Sequence, residues 1–310
     1  MKLYQNIPGV TPQNENRLNS KYWNQGKWDN FVAPHLPDDP TDMTFVEMGC
    51  NAGWFLKCAE EYGFRNVVGV EKNTTPWKVG NRYRDSIGYN YTLLKRTLGG
   101  KFGESGNFDI DEIPVADYTL MSTFHYYVDI NSWLKYLDRL KAKTRYVIIV
   151  SRPKIRYIHW RPYSSLESLK TYFDGWEMGK VVEVPVDKSD PSPRELFSVT
   201  FKSPTLERIP MNKISAGGYV FHEMRELARA KDPFETEFYR KWVGRKLGRW
   251  DEKTVKYFVK LKFDMMQDVI ANGLTDPIIV HRNNKLADGG HRLAVLDILG
   301  YKSVIIRRTP

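Results

Sequence analysis

Glu47, Gly49, Asn51 and Gly53 alternate along the run Phe45-Val46-Glu47-Met48-Gly49-Cys50-Asn51-Ala52-Gly53-Trp54-Phe55. Two glycines let a backbone approach a ligand where a side chain would collide. A helix beginning behind them offers unpaired N–H groups to an electron-rich group. Glu71, about twenty residues on, falls where an acid accepts hydrogen bonds from both hydroxyls of a ribose. A dinucleotide site requires G-x-G-x-x-G for its pyrophosphate. Here Asn51 stands two residues after Gly49 and Trp54 three residues beyond that, so the fingerprint is absent. A strand–turn–helix unit that binds another cofactor fits, as does a glycine turn that binds nothing.

The E-x-G-x-x-x-G turn, with an acid after the next strand, resembles the class I S-adenosylmethionine-dependent methyltransferases. The resemblance implies S-adenosylmethionine as cofactor, with Glu47, Gly49, Asn51 and Gly53 along its methionine end and Glu71 on its ribose. The family often has Gly or Ser at the Asn51 position, so this turn is a variant. The segment Asp109-Ile110-Asp111-Glu112-Ile113-Pro114 precedes a strand-like run, as does the family's adenine-binding segment. It assigns Asp109 to the adenine amino group and Ile110 to the ring. An acidic loop before a strand would look the same.

Methyl transfer asks the protein to align an acceptor and, for a hydroxyl, to remove a proton. Ser122-Thr123-Phe124-His125-Tyr126-Tyr127 follows the strand-like run from residue 117, at the sheet edge where open α/β folds bind ligands. Ser122 falls on the cofactor side. His125 titrates near neutrality, so it suits a general base, and it equally suits a structural histidine bonded to a backbone carbonyl. Tyr126 is grouped with His125 as a catalytic candidate, and Tyr127 with the acceptor pocket. Amino-methylating DNA enzymes carry an Asp/Asn-Pro-Pro-aromatic run here, and this chain does not. It also lacks a Pro-Cys nucleophile for cytosine chemistry, so an oxygen acceptor is favoured. Arg152 and Arg156 lie in Ser151-Arg152-Pro153-Lys154-Ile155-Arg156-Tyr157, where cations interleaved with aromatics suit a phosphorylated, sugar or nucleotide-like acceptor.

A second turn lies near the C-terminus: Asp288-Gly289-Gly290-His291-Arg292-Leu293. Its glycines lead into a helix, and helix N–H groups, the helix dipole and a guanidinium can converge there on one phosphate. Together with Arg208-Ile209-Pro210, Thr275-Asp276-Pro277-Ile278-Ile279-Val280 and Leu299-Gly300-Tyr301, in that spacing, it resembles the ParB/sulfiredoxin-like superfamily. The resemblance implies a nucleotide or phosphate site at Asp288, Gly289, Gly290, His291 and Arg292. The Gly-Gly-His-Arg form is nearer the kinase-like members than the partition proteins. The long helical insertion between the first two pieces departs from the compact pattern. No helix-turn-helix segment follows in this chain, which weighs against a partition-type DNA clamp.

The elements that must position these residues read as α/β. A strand enters the first turn, Trp54, Phe55, Leu56, Ala59 and Tyr62 follow helical spacing, and Gly63 stops the helix before Asn66-Val67-Val68-Gly69-Val70. Strands are expected at 117–122 and 146–150 with a helix between, and a hairpin with a long Pro-bearing loop within 181–201. The expected architecture is a Rossmann-like methyltransferase sheet with helices on both faces over residues 1–204. A small α+β ParB-like domain is expected over residues 205–310, with a long helix at about 253–271.

The chain has 310 residues, with 47 Lys and Arg against 37 Asp and Glu, a net charge of +10. Such a balance favours phosphate-bearing partners, although ordinary solubilising charge explains it equally well. Only Cys50 and Cys58 are present, without His or Cys at ligand spacing, which argues against a disulfide framework and against a metal site. No signal-peptide core or membrane span is visible, and a cytoplasmic location, in the host if the gene is phage-borne, is the expectation. The function expected is O-methylation, with the C-terminal domain holding nucleotide or phosphate. A phage-type nucleic-acid modification enzyme and a non-catalytic nucleotide-binding adaptor remain the alternatives.

Overall fold

The structure is a computed structural model that describes residues 5, 7, 20–97, 109–125, 128, 130–153, 164–216, 221–246 and 249–309. The chain divides into two compact units, Met1–Thr205 and Leu206–Pro310.

The first unit is built on a seven-stranded sheet. Its strands are β1 (Thr44–Met48), β2 (Asn66–Glu71), β3 (Thr92–Lys95), β4 (Ala116–Ser122), β5 (Thr144–Ser151), β6 (Glu177–Glu183) and β7 (Phe197–Lys202). They lie in the order β3-β2-β1-β4-β5-β7-β6. The first five run parallel, and β7 is antiparallel to both β5 and β6. Residues 184–196 connect β6 to β7 and form the long loop expected from the sequence.

All five residues of β1 are buried, as a parallel strand covered on both faces requires. Phe45 faces one core, with Trp28, Phe55, Leu56 and Tyr83; Val46 and Met48 face the other, with Ile110, Trp133 and Leu169. Helices α1 (Trp54–Tyr62) and α2 (Thr74–Ile87) therefore cover one face, and α3 (Ile130–Lys141) and α4 (Leu166–Tyr172) the other. Buried Trp133, Tyr136, Leu137 and Leu140 recur at helical spacing along α3. At the amino-terminal edge, Asp117 Oδ2 accepts from Thr44 N (3.0 Å) and Oδ1 from Arg145 Nη1 (2.9 Å), which pins β1, β4 and β5 in register. The strand order reverses between β1 and β4. A crevice opens outside the carboxyl ends of the strands at such a point.

In the second unit, β8 (Leu206–Pro210), β9 (Ile278–Val280), β10 (Leu286–Asp288) and β11 (Ser303–Arg308) form a sheet of order β10-β9-β11-β8. Helices α5 (Phe221–Arg229), α6 (Glu237–Lys246) and α7 (Glu252–Asn272) pack around Leu227, Phe238, Val255 and Val259, and α8 (Gly290–Ile298) contributes Ala294 and Val295 to the same cluster. The Leu293 side of α8 joins Ile278, Val280 and Ile306 of the sheet. Among the described residues no helix is long and apolar enough to cross a membrane, and no His, Cys, Asp and Glu cluster has metal-site geometry. Both cysteines are buried and free.

Candidate cofactor and acceptor site

The first glycine turn sits at the carboxyl end of β1. Gly49 N and Cys50 N donate to Val70 O of β2 (2.8 and 3.1 Å), which folds the chain over the neighbouring strand. Gly49 (φ 71°), Asn51 (φ 53°) and Gly53 (φ 82°) all occupy the left-handed region, so the two glycines are required by conformation. A Cβ on Gly49 would stand 2.6 Å from the Phe124 ring, and one on Gly53 3.4 Å from the Tyr91 hydroxyl. The glycines thus make room for two aromatic side chains. Gln5 Oε1 accepts from Ala52 N and Trp54 N (3.1 Å each), taking two donors at the start of α1.

Several buried polar atoms around this turn have no hydrogen-bond partner among the described residues. They are Glu47 Oε2, Asn51 Oδ1, Trp54 Nε1 and Tyr91 Oη. Glu47 is 2% exposed in a strand that is otherwise apolar apart from Thr44. Burial raises its carboxyl to about pKa 8, with Lys27 pulling the other way and Glu71 adding to the rise. A buried acid without a donor is destabilising unless a ligand supplies one. Glu71 is differently placed. Its Oε1 accepts from Asn73 N (2.7 Å) and Asn73 Nδ2 (2.8 Å), and its Oε2 from Asn51 N (3.0 Å). A carboxylate offers about four lone-pair directions, so one remains for a ribose that was expected to use two.

A segment before β1 covers the same edge. Residues 24–35 form consecutive short α-, π- and 3-10 turns. The β6–β7 loop holds this segment. Tyr22 Oη donates to Pro185 O (3.1 Å) and accepts from Asp187 N (2.9 Å), Trp23 Nε1 donates to Ser192 Oγ (3.0 Å), and the Arg194 guanidinium lies 3.8 Å from the Trp23 ring centroid. Lys27 points inward, with Nζ 3.4 Å from Ser122 Oγ at the end of β4 and 5.9 Å from the Trp23 ring. Burial depresses its pKa to about 7; Arg194 and Arg152 push the same way, and Glu47 opposes them.

Glu47, Gly49, Asn51, Gly53, Glu71 and Ser122 therefore share one edge, and Arg152 lies within electrostatic reach of it. His125, expected as a base, is enclosed. It has no exposed surface, its Nε2 is 3.2 Å from Ser151 Oγ, and its ring lies 6.1 Å from that of core residue Trp133. Ser151 Oγ donates to Ser164 O (2.7 Å), so His125 belongs to a buried network joining the ends of β4 and β5. Ile110, expected against the adenine ring, is wholly enclosed in the core with Val46, Val70 and Trp133. Asp109 starts a 3-10 turn, but its side chain lies outside the described residues, as do Tyr126, Tyr127 and Arg156. Lys27, Arg194, Trp23, Tyr91 and Gln5 were missed. None sits in a motif, and the lone signal was the density of Trp and polar residues before Pro34.

The second turn repeats the local form. Gly289 (φ 93°) caps α8, and a Cβ there would lie 2.9 Å from Ile278 Cδ1 and 3.2 Å from Arg292 Nη2. Arg292, however, is 9% exposed and already engaged: Nη2 donates to Asp288 Oδ2 (3.1 Å) and Nη1 to Asp276 O (3.1 Å). His291 packs edge-on against Phe238, and its Nε2 has no partner among the described residues. Burial lowers its pKa to about 4, helped by Lys262 and Arg292 and opposed by Asp288.

No family model and no curated protein matches the chain. Solved structures similar to it include an S-adenosylmethionine-dependent methyltransferase from Aquifex aeolicus, at 20% identity over 58% of this chain and 93% of that one, with a TM-score of 0.42. The N-methyltransferase NodS from Bradyrhizobium japonicum, in complex with S-adenosyl-L-homocysteine, is 12% identical over 52% and 78% with a TM-score of 0.40. Magnesium protoporphyrin IX methyltransferase from Synechocystis, with bound S-adenosylmethionine, is 13% identical over 52% and 70% with a TM-score of 0.37. These likenesses are loose, so assignment of a function falls to the chain's own residues.

Proposed function

We propose that the first unit is an S-adenosylmethionine-dependent methyltransferase acting on an oxygen of a small anionic acceptor. The observation that carries this reading is the pair of buried acceptors, Glu47 Oε2 and Asn51 Oδ1, without donors at a left-handed glycine turn beside the β1–β4 reversal. The amino group of a methionine moiety supplies the missing donors, and its charge offsets the buried carboxylate. Glu47 and Asn51 would hold that end, and Glu71 would hold the ribose with its remaining lone pair. When bound, the cofactor supplies an electrophilic methyl group on a sulfonium. Ser122 and Lys27 border the acceptor side, with Arg152 near, which suits a phosphorylated, sugar-like or nucleotide-like acceptor. Tyr126, Tyr127 and Arg156 are proposed to border it too, on sequence grounds alone. Calorimetric titration with S-adenosylhomocysteine tests the reading: binding that Glu47→Gln weakens supports it, and a flat wild-type titration refutes it.

For the second unit the ParB/sulfiredoxin-like reading is retained as a proposal, with its phosphate site redrawn. The unpartnered His291 Nε2, within electrostatic reach of Lys262, favours an anion at the start of α8, held by the Gly289-Gly290-His291 backbone. Arg292 then shapes the turn through Asp288 and Asp276, and does not touch the ligand. Inorganic phosphate or ATP titrated against His291→Phe is the test; equal affinity for the wild type and the variant removes the site.

A further inference from the structure

Three cations converge on the carboxyl edge of the first sheet from three elements: Lys27 from the segment before β1, Arg152 from the end of β5 and Arg194 from the β6–β7 loop. Among the described residues Glu47 is the carboxylate that acts on Lys27 there, and in the function proposed above it is taken by the amino group of the cofactor. The Trp23 ring carries the Arg194 guanidinium 3.8 Å from its centroid and has Lys27 Nζ 5.9 Å away. Lys27 Nζ approaches Ser122 Oγ at 3.4 Å, a long contact for an ammonium with three protons to donate. The lysine is nevertheless 8% exposed. A buried ammonium whose side-chain contact is this long is destabilising by itself and is relieved by an anion.

We propose that Lys27, with Trp23 and Arg194, forms the acceptor side of the site, that it selects a small acid bearing an ionisable hydroxyl, and that Lys27 Nζ receives the hydroxyl proton. The proposal rests on the methyltransferase reading and specifies its substrate class. The O–H bond of the acceptor breaks, its electron pair stays on oxygen, and the proton adds to the lone pair of Nζ. The ammonium so formed faces the new oxyanion. A lysine buried among cations holds a substantial fraction of neutral amine near pH 7, which an exposed lysine does not. His125, enclosed beside Trp133, is not needed for this step.

The test uses 4-nitrophenol, whose phenolate absorbs visible light while the phenol does not, added to the full chain at a pH where the free probe is mostly neutral. The wild type is expected to raise the phenolate absorbance saturably. Lys27→Met should abolish that signal and weaken probe binding at least about tenfold, without weakening S-adenosylhomocysteine binding measured by calorimetry. Lys27→Arg keeps the charge but accepts no proton, so calorimetry in two buffers of different ionisation enthalpy should show it releasing more protons to solvent per bound probe than the wild type; equal proton release would overturn the role of Lys27 as acceptor, and this variant carries the test if the Met variant fails to fold. A phenolate signal that survives in Lys27→Met, or its absence from the wild type, overturns the proposal. Failure of S-adenosylhomocysteine to bind the wild type, with the probe signal intact, refutes the cofactor reading alone.

Discussion

The turns at 47–53 and 288–292 share a backbone and differ in what their polar atoms do. Each follows a strand, places a left-handed glycine at the start of a helix, and carries a charged side chain that is less than a tenth exposed. At the first, the charged residue is Glu47, whose Oε2 is enclosed without a donor. At the second it is Arg292, whose guanidinium is taken up by Asp288 and by Asp276 O. Local form alone therefore does not mark a ligand site. A buried polar group left unsatisfied at such a turn is the better mark, and at the second turn that group is His291 Nε2, not Arg292.

The sharpest way to break this contrast is to delete both charges. Arg292→Ala removes a buried side chain and two hydrogen bonds, so the second unit should lose on the order of 2–4 kcal/mol in urea unfolding. A variant within about 0.5 kcal/mol of wild type that instead loses phosphate affinity would make Arg292 a ligand residue after all.

Glu47→Gln should do the opposite. Replacing a buried, donor-poor acid by a neutral amide should leave the unliganded protein at least as stable. It should also weaken S-adenosylhomocysteine by about 1.5–3 kcal/mol, the range for a hydrogen bond to a charged group. Glu71→Ala differs again, because Glu71 accepts from Asn51 N and Asn73 N. Stability and affinity should fall together, and loss of affinity alone would show that those two donors find other acceptors.

The sequence made the scaffold legible because its signals are local. Left-handed glycines, a five-residue buried strand and the helical spacing of α3 are each written in consecutive residues. The Glu47 turn was found for the same reason. Lys27, Trp23 and Arg194 were invisible because they come together across about 170 residues, through a π-turn and a Pro-bearing loop that have no periodicity. His125 illustrates the reverse. Its residue type and its place after β4 fit a base, and only the packing of Trp133 and the hydroxyl of Ser151 show that it is a core residue. Arg292 misled similarly, since its partner Asp276 lies sixteen positions away.

Titration tests the burial of Glu47 and Lys27 directly. Glu47 is raised in the folded state to about 8, so its contribution is present at low pH and is lost as the pH climbs from the unfolded carboxylate range to about 8. Lys27 is lowered to about 7, so folding becomes more favourable between pH 7 and the unfolded lysine range near 10.5, where the unfolded chain binds the proton and the folded one does not. Together they predict a dip in the unfolding free energy near pH 7–8, with limbs no steeper than about 1.4 kcal/mol per pH unit each. Glu47→Gln should flatten the acid limb and Lys27→Met the alkaline one. Chemical denaturation across the range checks this, and a profile unchanged by either substitution would mean that neither group is buried as described.

The smallest effect separates the glycines themselves. Alanine at either Gly53 or Gly289 must adopt a left-handed backbone, which costs roughly 1–2 kcal/mol. Beyond that the two sites diverge. At Gly53 the new methyl meets Tyr91 at 3.4 Å, an ordinary contact, so Gly53→Ala should cost little more than the backbone strain. At Gly289 it meets Ile278 Cδ1 at 2.9 Å and Arg292 Nη2 at 3.2 Å, so either the core or the guanidinium has to shift. Ile278 Cδ1 is the end of a flexible side chain and yields readily. Arg292 is held from both sides by its acceptors and does not. Gly289→Ala should therefore be the more destabilising by some tenths of a kcal/mol to about 1, within the usual range for overpacking. The excess should shrink in an Arg292→Ala background, where the obstructing nitrogen is gone. A double-mutant cycle on unfolding free energies measures that coupling. If the two substitutions are strictly additive, Arg292 does not brace the turn, and its guanidinium becomes available for a ligand.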